Sequence, residues 1–187
     1  LGTVDPMVSV AYRFILATVI MHGLCWAQRR PMRYSRRDHF FLALQGASLF
    51  ALNYWLFYIA ELHIASGLAA VVFSTIIVWN MLIGAVWIRH PLDRRVLLGA
   101  GLGLFGICLV FWPEVAGFEA DEYGLYGLVL SVVATIFASL GNIASARNQK
   151  AGISVMASNA WAMTYGAGLM VLLALVSGKP FDFEATP

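Results

Sequence analysis

The sequence predicts an all-α fold, a polytopic transmembrane helical bundle, on three observations. Six apolar stretches run through the 187 residues, at 8–27, 40–60, 64–88, 96–112, 123–146 and 154–176. A helix needs ~20 apolar residues at ~1.5 Å rise each to cover a hydrocarbon core of ~30 Å. All six qualify, the fourth least comfortably. A mean hydropathy of +0.77 with 12% charged residues leaves no segment for a separate soluble domain. The connections between stretches also alternate between basic and acidic.

Each stretch is rich in Leu, Val, Ile, Ala, Phe, Met and Gly without sustained two-residue alternation, which favours helices over the strands of a barrel. The first carries Arg13 and His22 and runs into an arginine cluster; with no basic residues in 1–7, it reads as a span and not as a signal peptide. The second holds Asn53 among Tyr54, Phe57 and Tyr58, and a short turn with Glu61 and His63 follows. Near the middle of the third lie Trp79 and Asn80. The fourth is glycine-rich, and Gly99, Gly103 and Gly106 permit close helix approach, a scaffold feature and a face on which a homo-oligomer would pack. In the fifth, Ser131, Thr135, Ser139 and Asn142 share one helical face. Trp112 and Tyr123 at one boundary and Tyr34 beyond the other read as interfacial anchors. Cys25 and Cys108 lie at different depths, too far apart for the ~7 Å reach of a disulfide, and read as packing residues. Beginning at Leu1 and stopping at Pro187 just after a stretch, the sequence reads as an excerpt, with further helices expected at either end.

Ten of the twelve Lys and Arg residues fall in the connections 28–37, 89–95 and 147–150. The positive-inside rule makes these three connections cytoplasmic. The opposite face carries Asp5, Glu61, Glu114, Glu119, Asp121, Glu122, Asp182 and Glu184, with Lys179, and both chain ends belong to it. An anionic inner leaflet accounts for the basic connections without a nucleic-acid partner.

Specific residues resemble a known family. Pro6, Arg13, Phe14 and Ala17 match the P-x-x-x-x-x-x-R-F-x-x-A entry of an EamA-type permease of the drug/metabolite transporter superfamily. The run from Asn53 to Ala60, followed by Ala65, Ser66, Gly67, Leu68, Ala69 and Ala70, resembles that family's hairpin between helices three and four. Leu98 to Ile107 resembles its glycine-rich fifth helix. The resemblance covers essentially the whole chain and implies helices two to seven of a ten-helix inverted-repeat transporter. Residues 1–117 would be a first repeat lacking its first helix, and 118–187 the start of a second. It further implies a multi-pass protein of the cell inner membrane. Two departures stand out. Ser74 to Trp79 lacks the proline often found midway along helix four, which puts its kink in doubt. Arg89, His90, Pro91 and Leu92 replace the family's usual acidic turn.

Polar groups are costly in lipid and should face neighbouring helices or a cavity. The cavity candidates are Arg13, Asn53, Tyr58, Trp79, Asn80, Ser139 and Asn142. For each a packing role competes. The hydroxyls of the fifth stretch bond their own backbone or join helices, and Arg13 either snorkels, pairs with an acid such as Glu61, or meets a substrate. His22 reads as a neutral, satisfied histidine or as a proton carrier. No Asp or Glu lies inside the hydrocarbon segments, so the carboxylate usual in proton coupling is missing from this portion. Aromatics outnumber charges among the candidates, which favours a neutral or amphiphilic solute.

Catalytic, metal and cofactor motifs are absent from the sequence: it has no G-x-S-x-G, no H-E-x-x-H and no zinc spacing. Glu61 and His63, the nearest catalytic-looking cluster, share a short outer turn of the kind usually solvated. The expectation is a non-enzymatic transporter of a small metabolite, amino acid or xenobiotic, working by alternating access and needing only its small-molecule substrate and the lipid bilayer. The alternatives are a nucleotide-sugar or sugar-phosphate carrier of the same superfamily, for which Arg13 alone is thin provision, and a non-transporting membrane scaffold.

Overall fold

A computed structural model describes residues 6–87, 94–118 and 120–178. Every regular element among them is helical. In order these are α1 (Pro6–Ala27), α2 (Arg36–Gln45), a π-helical segment (Gly46–Leu52), α3 (Asn53–Ala60), α4 (Ser66–Ser74) and α5 (Ile76–Trp87). Then come α6 (Arg94–Val110), α7 (Trp112–Ala116), α8 (Glu122–Lys150) and α9 (Val155–Val176). Among the described residues, five runs are long and apolar enough to cross a membrane: Met7–Ala27, Arg36–Ala60, Ser66–Trp87, Glu122–Lys150 and Val155–Val176. The fourth expected stretch forms α6, whose 17 residues rise ~25 Å, at the short end of the spanning range.

Polar residues set the helix ends. Ser35 caps α2, its hydroxyl oxygen accepting from the Asp38 N–H at 3.2 Å while donating to the Asp38 carboxylate at 2.7 Å. Asp121 accepts from the Gly124 N–H at 2.7 Å at the start of α8, and Ser154 caps α9. Such caps satisfy N–H groups that have no partner within the helix. The cations at 147–150 form the last turn of α8 and not a connection. Arg94 and Arg95 likewise open α6; Asp5, the 89–92 turn, Glu119, Lys179, Asp182 and Glu184 lie outside the described residues.

Two of the spanning runs are interrupted. The second passes through the π-helical segment, where the Asn53 N–H reaches back five residues to the Ser48 carbonyl. The third breaks at Thr75 without any proline. Its hydroxyl donates to the Val72 carbonyl and that of Ser74 to the Val71 carbonyl, each at 2.6 Å. Hydroxyls that back-bond in this way bend helices, so the run whose kink the missing proline put in doubt is interrupted by Ser74 and Thr75 instead.

The chain divides into two compact units, Leu1–Trp55 with Ala144–Pro187, and Leu56–Ile143. The division falls within α3 and α8. In the first unit, α1 turns Met7, Ala11, Phe14 and Cys25 inward, at spacings of four, three and eleven residues that keep them on one face. Along α9, Ser158, Ala162, Gly166, Met170 and Ala174 are all buried, a row at four-residue spacing that lets neighbouring backbones come close. Gly46 uses that closeness: a Cβ there would overlap the Ala162 carbonyl, and one on Gly166 would lie 2.9 Å from the Gly46 carbonyl oxygen.

In the second unit, Ile64, Leu68 and Ala69 form a core against Phe57, Val115 and Phe118. Gly67 admits the Phe111 ring and the Glu114 carboxylate where a side chain would stand. The glycines of α6 behave differently. A Cβ on Gly99, Gly103 or Gly106 would meet nothing within 4 Å, so among the described residues these glycines mediate no close helix approach.

Candidate functional site

The second unit joins three of the polar residues expected to line a cavity. Asn80 projects from α5, and its Oδ1 accepts from the Ser139 hydroxyl at 2.8 Å and, more weakly, from the Asn142 Nδ2 at 3.5 Å, both on α8. The two donors sit three residues apart and so share a helical face. This sharing leaves the Asn80 amide nitrogen and the Asn142 amide oxygen as a donor and acceptor for a solute. Ser131 and Thr135, on the same face of α8 and fully buried like Ser139, are instead bonded to backbone carbonyls of their own helix, at 2.8 and 2.7 Å. The stripe therefore divides, with its first two hydroxyls structural and its last two polar groups joined to Asn80.

Trp79 lines a different feature, an apolar groove of about 620 Å³ shared with Leu82, Ile83, Val86, Trp87 and Ile136. Tyr58 is half-buried in the same unit. His63 stacks against Tyr123 at 6.1 Å and meets Tyr126 edge-on, which makes it a packed aromatic of its turn.

The other two candidates belong to the first unit. Arg13 lies on an exposed side of α1. Asn53 is 5% exposed, and its Nδ2 makes one long bond to the Leu49 carbonyl at 3.4 Å. Its Oδ1 is buried without a hydrogen-bond partner, as is the Thr18 hydroxyl. Leaving a buried acceptor unsatisfied costs ~1–3 kcal/mol, and a π-helical interruption of the kind preceding Asn53 often marks functional positions.

A larger polar network escaped the sequence reading. Gln45, fully buried, accepts at Oε1 from the Asn148 Nδ2 at 3.0 Å and from the Ser158 hydroxyl at 2.7 Å, while its Nε2 donates to the Asn159 Oδ1 at 3.1 Å. Arg147 extends it, donating to Asp38 at 2.8 Å and to Asn148 at 3.3 Å with its guanidinium over the Phe41 ring. Gln45 and Asn159 sit inside the second and sixth apolar stretches, so treating every intramembrane amide as a candidate would have found both.

Beside this network, His39 Nδ1 and the Tyr165 hydroxyl are 2.8 Å apart, and the Trp161 ring meets His39 edge-on at 4.7 Å. Tyr34, expected as a bare interfacial anchor, instead packs on the core of Cys25, Leu42 and Ile153 and donates to the Pro31 carbonyl at 2.6 Å. Burial pushes its phenol above the ordinary tyrosine value, and the neighbouring Cys25 adds to the shift. Both cysteines are free thiols.

Comparison with known proteins adds the following. The EamA-like transporter family matches residues 1–112. An uncharacterized transporter, YoaV, of Bacillus subtilis (strain 168) is 22% identical over 185 residues, covering 98% of this chain and 60% of its own length. An uncharacterized transporter of Archaeoglobus fulgidus is 22% identical over 138 residues, or 73% of this chain and 46% of its own. The chain thus spans about half to three-fifths of the length of these relatives. One solved crystal structure superposes on 99% of the chain and 63% of its own with a TM-score of 0.77 at 17% identity, a likeness of fold.

Proposed function

The chain belongs to the EamA-like transporter family, and on that premise we propose that this multi-pass membrane protein moves a small neutral or amphiphilic metabolite, such as an amino acid or xenobiotic, across the inner membrane by alternating access. The observation that carries the reading is the Asn80, Ser139 and Asn142 cluster. It offers a donor and an acceptor and no ionised group. A neutral cluster can exchange its hydrogen bonds for those of a solute, whereas a multiply charged solute would bring a desolvation cost of several kcal/mol per charge that nothing in the cluster offsets. In this reading the basic segments 28–37, 89–95 and 147–150 face the cytoplasm.

The test is counterflow exchange of a labelled metabolite panel in proteoliposomes of the full-length protein. Asn80→Ala is expected to lower exchange roughly tenfold at subsaturating solute, the equivalent of one or two lost hydrogen bonds. Ser131→Ala, which removes only a backbone-directed hydroxyl, should leave exchange within about twofold. Unchanged exchange in Asn80→Ala would remove the cluster from the path. No exchange of any solute by folded protein would favour a scaffold.

A further inference from the structure

The connection between α1 and α2 borders a groove that the transport reading does not use. Its volume is about 830 Å³, and His22, Trp26, Ala27, Arg29, Arg30 and Met32 line it. Several bonds hold this lining in place. The His22 Nδ1 donates to the Thr18 carbonyl at 2.9 Å. Trp161 donates to the Met32 carbonyl at 3.1 Å and meets the His22 ring edge-on at 5.5 Å. Arg29 has φ +51°, the left-handed region that a residue with a side chain seldom adopts. Its N–H bonds to the Trp26 carbonyl and that of Arg30 to the Cys25 carbonyl, at 3.0 and 2.9 Å. This reversal of the chain brings two guanidiniums into one concavity with an imidazole, and no carboxylate is among the lining residues. Guanidinium forks match phosphate oxygens in geometry as well as charge.

What α1 presents next to the groove identifies the source of the phosphate. Leu16, Val19, Ile20 and Leu24 are 63, 66, 52 and 43% exposed; Ile20 and Leu24 follow Leu16 at four-residue steps and Val19 lies three after it, so all share one side of the helix. Gly23 on that side has nothing within 4 Å of an added Cβ. The row extends ~12 Å along the helix axis, close to the ~15 Å depth of one leaflet. Trp26 at its end is 84% exposed, as suits an indole at the headgroup level.

We propose that the groove seats the phosphate of an anionic phospholipid from the leaflet on the basic side, with Arg29 and Arg30 on its oxygens and an acyl chain along Leu16 to Leu24. Free phosphate would engage the guanidiniums but would leave the apolar row unused.

Native mass spectrometry of the full-length protein, taken from membranes holding equal phosphatidylglycerol and phosphatidylcholine with matched acyl chains, tests this. The parent protein is expected to retain phosphatidylglycerol with roughly thirtyfold preference, about fivefold per arginine. Arg29→Gln with Arg30→Gln should bring that preference close to unity. Arg30→Gln alone, which keeps the Arg29 turn intact, should lower it roughly fivefold. Arg33→Gln with Arg36→Gln removes the same charge outside the groove and should leave most of the preference. Equal losses in the two double variants, or no preference in the parent, would overturn the proposal. So would displacement of the lipid by soluble glycerol phosphate at concentrations like those at which the lipid binds.

Discussion

Gly46→Val is expected to destabilise the protein by ~3 kcal/mol or more, and Gly46→Ala by ~1–3 kcal/mol, the range for overfilling a packed site. The obstacle is backbone: a Cβ on Gly46 would overlap the Ala162 carbonyl and stand 3.0 Å from the Gly166 nitrogen. Neither atom can rotate away as a side chain would. Relief would require the π-helical segment and α9 to separate, which would loosen the row from Ser158 to Ala174. Chemical denaturation in detergent micelles, followed by tryptophan fluorescence, checks this. Gly99→Ala and Gly103→Ala are the comparison. Their Cβ positions meet nothing, and alanine gains up to ~1 kcal/mol of helix propensity over glycine, so both should be neutral or slightly stabilising. If they instead weaken a dimer seen by light scattering, the glycine face of α6 is an assembly surface.

Replacing Gln45 with leucine should produce the second large effect, a loss of ~3–5 kcal/mol. Three groups lose their partner at once, the buried Asn148 amide and Ser158 hydroxyl and the half-buried Asn159 side-chain oxygen. Each unsatisfied buried group costs ~1–3 kcal/mol, and the half-buried Asn159 oxygen less, since water reaches it. Ser158→Ala removes a single donor and should cost only ~1 kcal/mol. The same unfolding measurement ranks the two. Equal small losses would mean that water or rearranged amides replace the network, and the buried hub would then have little structural weight.

These two effects rest on residues that the sequence reading left unmarked, and the reason is physical. Gly46 looks like any glycine in an apolar stretch, while Gly99 and Gly103 carry the recognisable small-residue spacing. Spacing shows that two glycines share a face and says nothing of what that face meets. Gln45 is polar in lipid, which is a local and visible fact. Its partners lie 103 to 114 residues further on, and only packing decides which amide meets which.

The candidate site was partly legible for the same reason. Ser139 and Asn142 were found from their helical spacing and Asn80 from its place inside a span, but that one oxygen of Asn80 gathers both is a long-range contact. Ser131 and Thr135 carried the same local signal and turned inward to their own backbone. The kink of the third run had a local cause too, hidden because two hydroxyls stood where a proline was looked for.

The sequence alone was enough to specify apolar spans and their helical character, because these follow from conditions that act on consecutive residues. A bilayer sets the length of an apolar run and excludes unpaired backbone groups from its core. Packing decided the π-helical segment against α9, the hub at Gln45, the division of the α8 stripe and the turn that brings Arg29 and Arg30 to His22. In each, side chains or backbones distant in sequence compete for the same space, and local composition does not encode the outcome.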